Sequence, residues 1–367
     1  MGREQQIIEL IRRDPFISQL EIAEQVGLSR SAVAGHIASL IKKGILLGRA
    51  YVMAENGAVL CIGGANLDSK AIGKRTIRPA SSNPVDVTQS CGGVARNIAE
   101  NLAKLSCRTF LLTLVGDDKA GEWLLEETRK AGVDTSPSLM QREMKTGAYT
   151  AVLNPDGEMA LAFADMAIYD LFSPRLLQEK WPHIAGSQLV IADTNPSADS
   201  LAYLIERCRD EKLPLFVDPV SSEKAKKLPE RLEGVTAIFP NLEEACELAG
   251  VPITDEADAE SLAAAIHLRG AEHVFVTLGK NGVAYGGAEG SRSFPVIPTE
   301  VVEVTGAGDA FVAGIAYGIL QNHSYSEACR FGLAAAHLTL QSSESVSSRF
   351  NEEALLRVLE QQHDQRL

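Results

Sequence analysis

The sequence predicts an α/β protein, a three-layer α/β/α domain with a small β lid, behind a small helical head. Three observations predict it. From residue 58 onward, short apolar runs alternate with amphipathic helical stretches, as in a mainly parallel sheet covered on both faces. Two segments, 71–90 and 146–164, break that rhythm with polar or alternating character. The first fifty-odd residues instead carry three helix signals in close succession. A chain of 367 residues exceeds one ordinary domain, and it divides into a head, 1–55, and a larger domain, 56–367.

In the head, Ile7, Ile8, Leu10 and Ile11 give one apolar face to a helix over Arg3–Arg13, which Asp14-Pro15 stops. Ser18 with Glu21 three residues on has capping-box spacing, and Leu20, Ile22, Ala23 and Val26 form the expected buried stripe before Gly27. Ser29 caps a third helix over Arg30–Lys43, burying Val33, Ile37, Leu40 and Ile41. Ile45–Val52, broken at Gly48-Arg49, reads as a short hairpin. The order resembles a winged helix-turn-helix, which implies DNA as a partner of residues 1–55. Arg30, Ser31 and His36 would then read bases, and Arg49 on the wing would meet a phosphate. The alternative is a head that only packs on the larger domain or dimerises.

In the larger domain the strand candidates are Val59–Ile62, Thr109–Val115, Leu189–Ile191, Leu215–Val217, Ala237–Phe239 and Val274–Leu278. Helices are expected over Glu122–Ala131 and Ser200–Arg209, with a serine-rich loop, Ser342–Ser348, between the last two helices. Asn154-Pro155-Asp156-Gly157 joins two alternating strands in a hairpin. Both rhythm-breaking segments are read as a flap beside the carboxyl edge of the sheet, where open α/β sheets bind ligands.

Composition narrows the function. Apolar residues at 45% and charged residues at 23%, with no membrane-length apolar run, exclude disordered, collagen-like and membrane-spanning chains. The polar start lacks a secretory leader, and the six cysteines are scattered with no C-x-x-C pair, so reduced thiols in the cytoplasm are expected. The net charge is −13, yet the head holds seven basic residues against six acidic ones, so the acidity lies in the larger domain.

Glu303-Val304-Thr305-Gly306-Ala307-Gly308-Asp309-Ala310-Phe311 sets small residues before an apolar helix. The amides of Gly306, Ala307 and Gly308 would there form a nest for a transferring phosphate, and Asp309 could take the proton of an attacking alcohol. The bland alternative is that Asp309 merely caps the helix. A dinucleotide fingerprint is excluded, because its third glycine would fall on Phe311, and the chain has no Walker loop. Gly92-Gly93-Val94-Ala95-Arg96-Asn97-Ile98-Ala99 is a second glycine-rich helix start.

Together these two segments resemble the two signatures of the ribokinase-like (PfkB) carbohydrate kinase family, from about residue 57 to the end. The resemblance implies a single α/β domain with a β lid, and an ATP-dependent kinase acting on an alcohol. It implies that Asn66 and Asp68, in a loop after the first strand, hold sugar hydroxyls; read alone they would be an Asx turn. Gly92 and Gly93 would admit the sugar close to the backbone, and Asn97 would bond a hydroxyl.

On the nucleotide side, Asn241-Leu242-Glu243-Glu244 resembles the family's N-x-x-E element, with Asn241 near the phosphates and Glu244 organising Mg2+ through water. Read alone, these are a helix cap and a solvated acid. Thr277, Gly279 and Gly282 resemble the ATP-binding turn. Glu303 departs from the family's usual residues near a monovalent-cation site, which leaves that cation open. Within the family, Ser82-Asn83-Pro84, Asp165-Met166, Ala192-Asp193 and Asp218-Pro219-Val220-Ser221 are most similar to the kinases of pseudouridine. Transfer to the 5′-hydroxyl of that nucleoside is implied, with Ser82, Asn83 and Asp165 meeting the base from the lid. A homodimer through the lid is the oligomer the reading allows. Another nucleoside or sugar as acceptor, or a nucleoside-sensing regulator without useful activity, are the alternatives.

Overall fold

The structure is a computed structural model that describes residues 2–14, 17–47, 57–252, 258–288 and 290–364. In the head, α1 (Arg3–Arg13), α2 (Gln19–Val26) and α3 (Arg30–Lys42) close around Ile7, Ile11, Ile22, Val33 and Leu40, all fully buried. The expected caps form. Ser18 and Glu21 make a reciprocal capping box, and Ser29 accepts from the Ala32 amide. Leu20, expected in the buried stripe, is instead exposed, because two residues of helix rotate it about 200° away from Ile22. Of the expected hairpin, Leu46 is buried in the head's core, while Gly48, Arg49 and the remainder to Val52 lie outside the described residues.

The larger domain begins with β1 (Val59–Ile62), β2 (Asn66–Gly73), β3 (Val85–Gly92), α4 (Val94–Lys104), β4 (Thr109–Leu112) and β5 (Leu114–Gly116). It continues through α5 (Lys119–Lys130), β6 (Leu139–Gln141), β7 (Ala148–Leu153), β8 (Met159–Asp165), α6 (Pro174–Ala185), β9 (Leu189–Asp193), α7 (Ala198–Glu211) and β10 (Leu215–Asp218). Then follow α8 (Ser222–Ala225), β11 (Ala237–Ile238), α9 (Leu242–Ala249), α10 (Ala259–Leu268), β12 (His273–Thr277), β13 (Val283–Gly287) and β14 (Gly290–Phe294). The last helices are α11 (Ala307–Leu320), α12 (Tyr325–Leu340) and α13 (Glu352–Asp364), with the serine-rich loop between α12 and α13.

Eight strands form the main sheet in the order β14-β13-β12-β11-β10-β9-β1-β4, parallel except at β13 and β14. Alternation along β1 sends Leu60 and Ile62 into one core, with α6, α7, α9 and α10, and Val59 and Cys61 into the other, with α4, α5, α11 and α12. The expected strand over Thr109–Val115 divides at Thr113, whose hydroxyl donates to the Gly63 carbonyl at 2.6 Å. Beyond it β5 leaves the sheet to pair with β6. Helix α5 starts before the expected Glu122 because Asp118 caps it, accepting from the Gly121 amide at 2.8 Å.

The lid is a separate four-stranded sheet in the order β3-β2-β7-β8. Its second hairpin turns at Asn154–Gly157 as expected. Its first is longer than the polar segment suggested, because backbone pairing continues from Gly73–Val85 down to Asn66–Gly92. The head meets the larger domain where Gly44, just past α3, lies against Gly186 at the end of α6; a Cβ on Gly44 would sit 2.2 Å from the Gly186 nitrogen.

Candidate active site

The site lies where the carboxyl ends of β1, β9 and β10 meet the root of the lid. Strand β9 is apolar until it ends in Asp193, a buried carboxylate. Asp193 accepts from the amides of Gly64 at 2.7 Å, Ala95 at 3.1 Å and Asn195 at 2.9 Å, tying the turn after β1 to the start of α4. Glycine is required at residue 63, since a Cβ there would lie 2.1 Å from Asp193 Oδ1. Tyr169 clamps the other side of the turn, its hydroxyl donating to the Ala65 carbonyl at 2.5 Å and accepting from the Ala65 amide at 2.8 Å. Sequence reasoning matched Asp193 only as part of a motif and did not single out Tyr169. An acid closing an apolar strand was the available signal for the first.

Asn66 and Asp68, expected in a loop, are the first residues of lid strand β2, which removes the Asx-turn reading. The turn after β1 is only three residues, and backbone pairing to β3 starts at once. The Asn66 carboxamide donates to Asp68 Oδ1. Asp68 lies across Gly92, where a Cβ would fall 2.0 Å from its Oδ2, and Gly93, at φ 101°, brings its backbone against the Gly64 carbonyl. Burial pushes the Asp68 carboxyl up to about 6, against the opposing pull of Arg96. Tyr149 pairs with Asp68 in register and so shares the face of the lid that looks onto the site. Lid alternation was its only sequence signal.

Across the cleft, α11 starts at Gly306 in the left-handed region, φ 83°, with no side chain capping it. Asp309, in the first turn, turns away from its own helix end. Its Oδ2 accepts from Asn97 Nδ2 of α4 at 2.8 Å, so it is not merely a cap. Burial pushes its carboxyl up to about 7, reinforced by Asp193 and Asp68 and opposed by the Asn97 hydrogen bond and Arg96. Asp218, ending β10, is held well above the carboxylate range by burial and then by Asp309 and Glu244.

Asn241 caps α9 and forms a capping box with Glu244. Its side chain accepts from the Glu244 amide at 2.9 Å, and Glu244 Oε2 accepts from the Asn241 amide at 2.9 Å. Glu244 Oε1 accepts from Asn241 Nδ2 at 2.7 Å, so this acid is buried and engaged rather than solvated. Asn241 also bridges to Thr277 at the end of β12. Thr277, Gly279 and Gly282 line a cavity of about 400 Å³ whose wall includes Ala307, Gly308 and Phe311, so the expected nucleotide turn and the phosphate nest open into one space.

Other expected residues lie apart from this cluster. Asn83 is spent on the lid turn, donating to the Arg78 and Ser81 carbonyls at 2.9 and 3.0 Å and accepting from the Arg78 amide at 2.9 Å; Ser82 is exposed beside it. Asp165 pairs with Ala148, one register step from the Asp68–Tyr149 pair, which places it on the opposite face of the lid. Glu303 accepts from Lys70 of the lid at 2.8 Å. In the head, Arg30 and Ser31 are exposed, whereas His36 is half-buried 3.9 Å from Glu4 of α1. Among the described residues no group of three or more His, Cys, Asp or Glu could hold a metal ion, and no helix is long and apolar enough to cross a membrane.

Comparison with known proteins agrees with this geometry. Residues 57–351 match the model of the pfkB family of carbohydrate kinases, and residues 3–46 match that of a winged helix-turn-helix DNA-binding family. The chain is 35% identical over 339 residues to an uncharacterized sugar kinase of Escherichia coli, covering 92% of this chain and 93% of that one. It is 34% identical over 289 residues to the pseudouridine kinase of the same organism, covering 78% and 92%. Ribokinase from Thermotoga maritima shares the fold at 20% identity, with a TM-score of 0.73 over 83% of this chain and all of that one.

Proposed function

The chain belongs to the pfkB family of carbohydrate kinases, and from that premise we propose that it transfers the γ-phosphoryl group of ATP to the 5′-hydroxyl of pseudouridine. The observation that carries this reading is the pairing of Asp309 with the open end of α11. A carboxylate held by Asn97 stands beside a helix start that no side chain caps, at the wall of the nucleotide cavity, so an alcohol and a phosphoryl group can meet there. Asp309 orients the hydroxyl and takes its proton, contributing on the order of 10² to 10⁴ in rate. The amides from Gly306 to Gly308 stabilise charge on the phosphoryl oxygens.

Asp68, ionised above about pH 6, accepts from both hydroxyls of a ribose diol, with Asn66 fixing its orientation and Gly92 and Gly93 leaving room for the ring. Tyr149 offers an aromatic face to the base. The 34% identity to a pseudouridine kinase favours a C-nucleoside. The engaged oxygens of Glu244 fit a magnesium ion held by nucleotide phosphates and reached through water, not a protein cage. Such an ion would supply neutralisation of the phosphate charge.

The exposed Arg30 and Ser31 start the helix that a winged helix-turn-helix inserts into a major groove, so DNA is the partner proposed for the head. On the lid face opposite Asp68, Val87, Ala71, Val152 and Leu161 form one cross-strand row beside Phe163, and Val87, Leu161 and Phe163 are at least half exposed. A second copy of the chain would cover it, which sedimentation can test.

The substrate is tested by ADP release with pseudouridine, uridine, guanosine, ribose and fructose as acceptors. Pseudouridine should give the highest kcat/KM. Preference for a free sugar would replace the nucleoside reading, and no turnover on any acceptor would favour a sensor. For the head, a salt-titrated mobility shift on DNA from the protein's own genomic neighbourhood should show a specific complex; uniformly weak, sequence-blind binding would overturn it.

A further inference from the structure

Helix α4 carries a stripe of charge beside Asn97. Lys104, Glu100 and Arg96 follow one another at four-residue spacing on one face, with Arg96 and Glu100 buried. Arg96 Nη2 pairs with Glu100, and Lys104 pairs with Glu100 at 3.4 Å and donates to the Ser347 carbonyl at 2.8 Å. The other arm of the guanidinium, Nη1, donates to the Cys91 carbonyl at 3.2 Å and to Asn97 Oδ1 at 3.1 Å, while Nε donates to Thr128 Oγ1 at 3.4 Å.

A carboxamide can present either its oxygen or its nitrogen to a neighbour, and a guanidinium has donors only. Arg96 therefore takes the oxygen of Asn97, and the nitrogen must face the Asp309 carboxylate, where it is found at 2.8 Å. With the amide reversed, its oxygen would oppose the carboxylate and its NH2 would oppose the guanidinium. Both contacts would be lost at a desolvated site, where a polar group left without a partner is costly.

We infer that Arg96 is a positioning residue for phosphoryl transfer: it fixes the Asn97 carboxamide, which holds Asp309 by one oxygen and leaves the other for the acceptor alcohol. The inference rests on the assignment of Asp309 as base, but the arrangement can be tested without substrate. The charged groups facing Asp309 are Arg96 from α4, Asp68 from β2, Asp193 from β9 and Asp218 from β10. Of these groups Arg96 favours its ionised form, as does the Asn97 hydrogen bond.

The experiment follows the side-chain carboxyl carbon of Asp309 by NMR in the full chain labelled with [13C]aspartate, the resonance being assigned by its loss in Asp309→Asn. In Arg96→Met its titration midpoint should rise by at least half a pH unit. On an Asn97→Ala background the same substitution should move it less than half as far, because the amide that carries the effect is gone. An unmoved midpoint, or an equal shift with and without Asn97, would overturn the inference. Should Arg96→Met fail to fold with Glu100 left unpaired, Arg96→Met/Glu100→Gln removes both charges together and is read in the same way. Separately, if Asp309→Asn keeps turnover within tenfold of the parent, the base assignment falls while the NMR result still decides the role of Arg96.

Discussion

Helix α11 begins in the wall of the cavity and α9 begins next to it, where Asn241 bridges to Thr277 of that wall, and they begin in opposite ways. Helix α9 closes its own end, since Asn241 and Glu244 satisfy each other's backbone amides and leave little for a ligand. Helix α11 starts at a glycine with no side chain over it, and its first turn faces the cavity beside a carboxyl raised to about 7. Helix α4 stands between the two. It also starts at a glycine, but Asp193 takes the Ala95 amide. Four backbone N–H groups at a helix start need acceptors, so the end that the protein leaves open is the one a phosphate can fill. The capped end has its amides satisfied from within, and the open end leaves its first turn to the cavity.

The largest test of that contrast is Asp309→Asn, expected to lower kcat by roughly 10²- to 10⁴-fold while ATP affinity by calorimetry stays unchanged. Dependence on pH comes next. Asp309 must be ionised to act, so kcat/KM should fall about tenfold per pH unit below about 7, and more steeply once Asp68 protonates near 6. Because folding raises the Asp309 pKa, its contribution to stability is full below the ordinary value of 3.8 and is lost as the pH rises through about 7. Asp309→Asn should therefore melt higher than the parent at pH 8, with the gap closing toward pH 4. A flat difference across that range would contradict the raised pKa.

Gly306→Ala should damage the open end itself. Its Cβ would lie 1.9 Å from the Ser345 carbonyl at a φ of 83°, and we expect a stability loss above about 1 kcal/mol in urea with kcat reduced about tenfold. At the closed end the expected effect is smallest. Asn241→Ala should cost about 0.5–2 kcal/mol of stability, as for any lost cap, and change kcat only a few-fold. If Asn241→Ala lowered kcat as much as Gly306→Ala, the contrast between the closed and the open helix end would not hold.

Much of this was legible in the chain because it is local. The capping box at Ser18 and Glu21, the lid turn at Asn154–Gly157 and the glycine-led start of α11 depend on residues a few positions apart. The places where the reading failed are local signals overruled by pairing. Thr109–Val115 is one apolar run that divides because Thr113 finds Gly63, and Asn66-Leu67-Asp68 resembles a turn but becomes strand because residues 85–92 pair with it. Asn83 and Asp165 fitted a motif, yet one is spent on a turn and the other faces away from Asp68.

By itself the sequence determined the fold class, the kinase family, the two glycine-rich helix starts and Asp309 as the residue to watch, since periodicity and backbone conformational needs are written in neighbouring residues. Only the tertiary structure decided which partners the carboxylates meet. Asp309 meets Asn97 across 212 positions and Asp193 ties Gly64 to Ala95, contacts that no local pattern encodes because they form only when β1, β9 and the lid bring their ends together. The raised carboxyls follow from the same convergence. Burial and like charge are properties of a neighbourhood, and the neighbourhood exists only in the folded chain.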